Sequence, residues 1–122
     1  MPIVDVEIVC EAAQAAGKVS ASALADALGQ AFGGAPGQTW VRLRLLDRMA
    51  YAESGVSPVA GDGPVFVTVL HARLPEGAAL QAELRAVTQA VARSVGRAAE
   101  SVHVQYAPPG AGRQAFGGRL VG

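Results

Sequence analysis

Along the first ten residues apolar and charged side chains alternate, with Val4, Val6 and Ile8 interleaved by Asp5 and Glu7. A period of two puts the apolar side chains on one face of a strand and the acids on the other. Around Ser20-Ala21-Ser22 the pattern changes. Either serine can cap a helix by accepting a backbone N–H, and Leu24, Leu28 and Phe32 then recur along one helical face. Gly33-Gly34-Ala35-Pro36-Gly37 ends that helix. From Thr39 to Leu46 alternation returns, with Val41, Leu43 and Leu45 on one side and Trp40, Arg42 and Arg44 on the other.

Residues 53–63 are rich in Ser, Gly, Pro, Ala and Asp and read as a connector. The programme then repeats. Pro64 to Leu70 predicts a strand, and Pro75-Glu76-Gly77 leads into a helix with Leu80, Leu84, Val87, Val91 and Val95 on one face. Ser101 to Tyr106 predicts a fourth strand, Pro108-Pro109-Gly110 breaks it, and residues 114–121 form a closing tail. The chain therefore reads as one domain of two β-α-β repeats, about 1–52 and 64–122, with Pro2 and Pro64 in equivalent places. A strand–helix–strand unit makes a right-handed parallel pair. Two such units predict an α/β (α+β) architecture, a four-stranded mixed sheet with two helices on one face. Phe66 and Leu70 are apolar as well as Val65, Val67 and Val69. A strand apolar in both phases is buried on both sides, so the free face of the sheet is expected to be apolar and to meet other subunits.

Ten basic residues balance ten acidic ones, which argues against nucleic acid or a membrane surface as partner. No segment approaches the roughly 18–20 apolar residues of a membrane span. Asp5 and Glu7 interrupt the N-terminal apolar run, and no basic segment precedes it, so no signal peptide is expected and the compartment is expected to be cytoplasmic. A single cysteine, Cys10, excludes an internal disulfide and any CxxC redox or zinc pair. It is expected to be a small buried hydrophobe.

The chemistry-bearing position is Pro2. If Met1 is removed, the ring nitrogen becomes a secondary amine on a rigid ring at the head of a strand. An α-amino group titrates near about 8, and a half-buried site beside positive charge lowers that value toward the working pH of a general base. The structural alternative is a proline that merely opens an edge strand. Arg42 and Arg44 share a face, and one of them can be solvated or paired with Asp5 or Glu7. His71 and His103 are expected to be packed or solvated.

A duplicated β-α-β unit opening on Pro2-Ile3, with the strand Ser101-Val102-His103-Val104 and the tail Ala115-Phe116-Gly117-Gly118, resembles the tautomerase superfamily of 4-oxalocrotonate tautomerase, macrophage migration inhibitory factor and the chloroacrylic acid dehalogenases. The resemblance covers nearly the whole chain. It implies a cofactor-independent tautomerase that carries no metal, in which Pro2 shuttles a proton on small enol or unsaturated keto acids. It also implies a homotrimer. Arg42, aligned through Thr39-Trp40-Val41-Arg42, is then a ligand of the substrate carboxylate, with Arg44 beside it and Arg73 near the end of the third strand as further candidates. Tyr106 and Phe116 would line the substrate site. A planar guanidinium fork suits a carboxylate.

The sequence departs from the family in two ways. Pro64 is internal, so its nitrogen is an amide and one base per chain is expected. Nothing after Glu100 is acidic, whereas the dehalogenase and hydratase members use a late carboxylate to activate water, so hydrolytic dehalogenation or hydration is the alternative activity. A third reading is a non-catalytic trimeric scaffold, which a retained Met1 would require.

Overall fold

The computed structural model describes residues 2–56 and 63–122. Strand β1 (Ile3–Cys10) is followed by a single helical turn, α1 (Ala12–Ala15), then helix α2 (Ala21–Phe32) and strand β2 (Trp40–Asp47). Strand β3 (Val65–Leu70), helix α3 (Gly77–Val95) and strand β4 (Val102–Tyr106) repeat the plan, and a short hairpin of β5 (Ala115–Phe116) and β6 (Arg119–Leu120) closes the chain. The sheet order is β2-β1-β3-β4. β1 runs parallel to β2 and β3 parallel to β4, while β1 and β3 meet antiparallel, with Ile3 opposite Leu70 and Ile8 opposite Val65.

Local signals account for the boundaries. Ser20 Oγ accepts from Ala23 N at 3.0 Å and caps α2. The helix ends at Gly33, whose φ of 68° lies in the left-handed region. α1 was not evident in the alternation; it sits where Ala12 N reaches the Asp47 carboxylate at 3.3 Å. Residues 57–62 of the expected connector lie outside the described residues, and Glu53 and Val56 form an isolated antiparallel bridge before them.

The core lies between the sheet and the two long helices. Val4, Val6, Ile8, Val65, Val67 and Val69 from the sheet and Leu24, Leu28, Val87 and Val91 from the helices are all within 1% of complete burial. Each such side chain stabilises the fold by about 1.5–3 kcal/mol relative to exposure. Cys10 is buried, as expected. Among the described residues no helix is long and apolar enough to cross a membrane.

Two expectations need correction. The free face of the sheet is mixed rather than apolar. Leu70 stands beside Ile3 and Trp40, but Phe66 lies among Glu7, Arg44 and His103, and Thr68 among Asp5, Arg42 and Gln105. The pattern of β3 alone misleads because a face is made by four strands. The two prolines are also not equivalent. Val4, Val6 and Ile8 face the helices in the first half, and Val65, Val67 and Val69 do so in the second. Matching buried to buried positions pairs even numbers with odd ones, so Pro64 falls in the phase of Ile3 and not of Pro2.

Candidate active site

Pro2 is buried at the head of β1, and its carbonyl accepts from Trp40 N at 3.0 Å. Alternation continued back from Val4 puts the Pro2 ring on the side of the sheet that faces the helices. Continuing the two ladders by one residue sets Thr39 on one flank of Pro2 and His71 on the other. The paired register itself ends at Ile3, opposite Trp40 and Leu70, so Thr39 and His71 stand one step beyond it on the two flanks. Thr39 Oγ1 is buried and has no hydrogen-bond partner among the described residues.

His71 is held on several sides. Its Nε2 lies 2.9 Å from Glu83 Oε2. The edge of its ring meets Phe32, with centroids 5.2 Å apart, and Tyr106 stacks on it at 6.1 Å. The Tyr106 hydroxyl donates to the same Glu83 oxygen at 2.9 Å. The side chains of His71 and Glu83 are only 14% and 13% exposed, which strengthens these contacts relative to water. Burial pushes the Tyr106 phenol well above its ordinary value, and the bond to Glu83 adds to the shift. Tyr106 is therefore a neutral phenol whose proton is already committed to Glu83.

The arginines are distributed differently. Arg42 makes a fork-to-fork contact with Asp5, Nε to Oδ1 at 2.6 Å and Nη2 to Oδ2 at 2.9 Å. This is the pairing that the sequence allowed for one of Arg42 and Arg44. Arg44 stands opposite Glu7 on the same open face. With Phe66 and Thr68, these four charged side chains border a shallow depression of about 210 Å³. Arg42 and Arg44 thus lie on the opposite side of the sheet from Pro2. Arg73 is at the Pro2 end, exposed, and donates through Nη2 to the Gly122 carbonyl at 2.6 Å. Phe116 packs edge-on against Trp40, with centroids 5.2 Å apart, beside the strand start that carries Pro2. His103 lies on the open face against Phe66.

Glu83 is the member of this cluster that the sequence reading does not single out; His71 is packed, one of the two outcomes expected for it. A signal was present. Glu83 interrupts the apolar stripe of α3, three residues after Leu80 and four before Val87, where an acid needs a buried partner.

No family model matches the chain, and no curated protein matches it in sequence. Solved structures do. The chain is 21% identical to a fused 4-OT wild-type symmetric trimer, with 98% of this chain and 94% of that one covered and a TM-score of 0.67. It is 23% identical to N1, a member of the cis-3-chloroacrylic acid dehalogenase family, covering 98% of this chain and 83% of that one with a TM-score of 0.71. Macrophage migration inhibitory factor from Oncomelania hupensis is 18% identical, with 100% and 83% covered and a TM-score of 0.69. The chain has the fold of the tautomerase superfamily.

Proposed function

We propose that the protein is a cofactor-independent tautomerase of small enol or unsaturated keto acids, with the Pro2 amine as its base. The observation that carries this reading is the burial of Pro2 at the head of β1; the alternation of β1 puts it on the helix side of the sheet, and His71 follows Leu70, the residue paired with Ile3. Removal of Met1 turns the Pro2 nitrogen into a secondary amine. Desolvation there favours the neutral form and lowers the amine pKa. With an enol the neutral amine takes the hydroxyl proton and the ammonium returns it to carbon; with an unsaturated keto acid the amine takes the proton from carbon and the ammonium returns it to the other end of the conjugated system.

Arg73 is the first candidate for the substrate carboxylate, because it shares the Pro2 end of the sheet. Arg42 and Arg44 reach a substrate only if the open face borders the site in an assembled oligomer. A homotrimer is the proposed assembly, supported by the likeness to a symmetric trimer. Phe116, anchored on Trp40, is the proposed apolar wall.

The test compares processed protein with a version carrying one uncleaved residue before Pro2. Intact mass establishes which N-terminus is present, and ketonisation of the phenylpyruvate enol is followed by ultraviolet absorbance. The extension is expected to abolish turnover while circular dichroism stays unchanged. A native rate in the extended protein removes Pro2 as the base.

A second reading is water addition, and Glu83 is what favours it. The sequence offers no late acid, yet the fold brings this carboxylate to Tyr106 at the Pro2 end. Halide release from a 3-chloroacrylate without keto–enol exchange selects that reading.

A further inference from the structure

A tautomerase needs a donor at the carbonyl oxygen, where negative charge develops as the base removes the proton. The two arginines of β2 are on the far side of the sheet, and Arg42 is committed to Asp5. Tyr106 has spent its proton on Glu83. Of the groups at the Pro2 end, Arg73 is exposed, bonded to Gly122 and assigned to the carboxylate, which leaves His71, largely buried and one step beyond the Ile3–Leu70 pair, for the carbonyl oxygen. Its Nε2–H goes to Glu83 Oε2, and Nδ1 has no partner among the described residues. When the ring is protonated the Glu83 carboxylate balances its charge, and Nδ1–H is the free donor.

We propose that His71 is a catalytic residue of the Pro2 site, donating from Nδ1 to the substrate carbonyl oxygen, and that Glu83 is the residue that positions it. This rests on the reading of Pro2 as the working amine. Phe32 at the ring edge and Tyr106 on its face remove the freedom to swing away. A donor held in this way needs no reorganisation when charge develops. The facing charged and titratable groups are Glu83 from α3 and Tyr106 from β4, with Pro2 itself across the ladder.

Two substitutions separate the ring nitrogens. In His71→Asn the amide nitrogen falls near the place of Nδ1. In His71→Gln it falls near Nε2 and can serve only Glu83. With phenylpyruvate enol as substrate, His71→Gln is expected to lower kcat by about 100-fold with KM within about twofold, and His71→Asn, which keeps the donor but loses the charge and the bond to Glu83, by only about tenfold. Equal losses in both, native rates in both, or the reverse order overturn the proposal, the last showing a side chain that serves only to hold Glu83. Glu83→Gln keeps the side-chain size and guards against a folding failure. It is expected to lower kcat about tenfold, and unchanged kcat overturns the positioning role. Intact mass and a ¹⁵N titration of Pro2 in every protein keep the two readings apart. A titrating, unblocked Pro2 in an active protein that is indifferent to His71 sinks this inference alone, whereas a wild type inactive with its Pro2 free, or blocked by Met1, sinks the proposed function and this inference with it.

Discussion

Tyr106 gives its hydroxyl proton to Glu83 Oε2 at 2.9 Å, from a strand end to the second turn of a helix. The phenol is held above its ordinary value of 10.0, first by burial and then by this bond. The folded state therefore binds that proton more tightly than the unfolded chain does. The stabilisation is complete below pH 10 and is lost as pH rises toward the raised value. Urea midpoints measured between about pH 9 and 11 should fall as pH rises, and Tyr106→Phe should flatten the curve. A midpoint that climbs over that range would contradict the bond.

Arg73→Ala should weaken kcat/KM by about 1.5–3 kcal/mol, the worth of a charge-assisted bond to a carboxylate. Arg73→Lys should recover little, because a point charge replaces a planar fork. Native kinetics in Arg73→Ala would return the residue to the surface.

Leu28 is fully buried between α2 and the sheet. Leu28→Ala should destabilise the fold by about 2–5 kcal/mol through lost burial and the cavity left behind. Leu120 is 66% exposed, and Leu120→Ala should stay within about 0.5 kcal/mol. Denaturant unfolding of both variants checks the placement of the core.

The closing hairpin turns on Gly117 and Gly118, with φ of 57° and 85°. Two successive positive φ values make the tight turn that matches strand twist, and side chains resist it. Gly118→Ala should cost about 1–2 kcal/mol locally and loosen Phe116 from Trp40. Trp40 is the chain's one tryptophan, so its emission should move toward the red. An unchanged spectrum would mean that Phe116 is held by something other than the turn.

Most of the frame could be read from residue order because local pattern determined it. Val4, Val6 and Ile8 declared their common face, and Ser20 marked the start of α2. The site was less legible. His71, Glu83 and Tyr106 lie 12 and 23 positions apart and meet only after β3, α3 and β4 have packed. No spacing rule reports such a meeting, although the acid on the apolar stripe of α3 hinted at a buried partner. The open face is hard to read for a related reason, since the pattern of β3 carries no trace of the charged strands beside it. The pairing of Arg42 with Asp5, by contrast, follows from adjacent strands in register, and the sequence had allowed for it.

Because β1 and β3 run antiparallel, the second half of the chain enters the sheet at the end opposite Pro2. Pro64 meets Val9 there, its carbonyl 3.1 Å from Val9 N. Seven residue-to-residue steps of extended chain separate Val9 from Pro2, a distance of about 23 Å at 3.3 Å per residue. For anyone handling the protein, this gives a rule for where to attach things. A purification handle or fluorophore at the N-terminus would cap the Pro2 nitrogen, whereas changes at the Pro64 end of β3 fall at the remote end of the sheet.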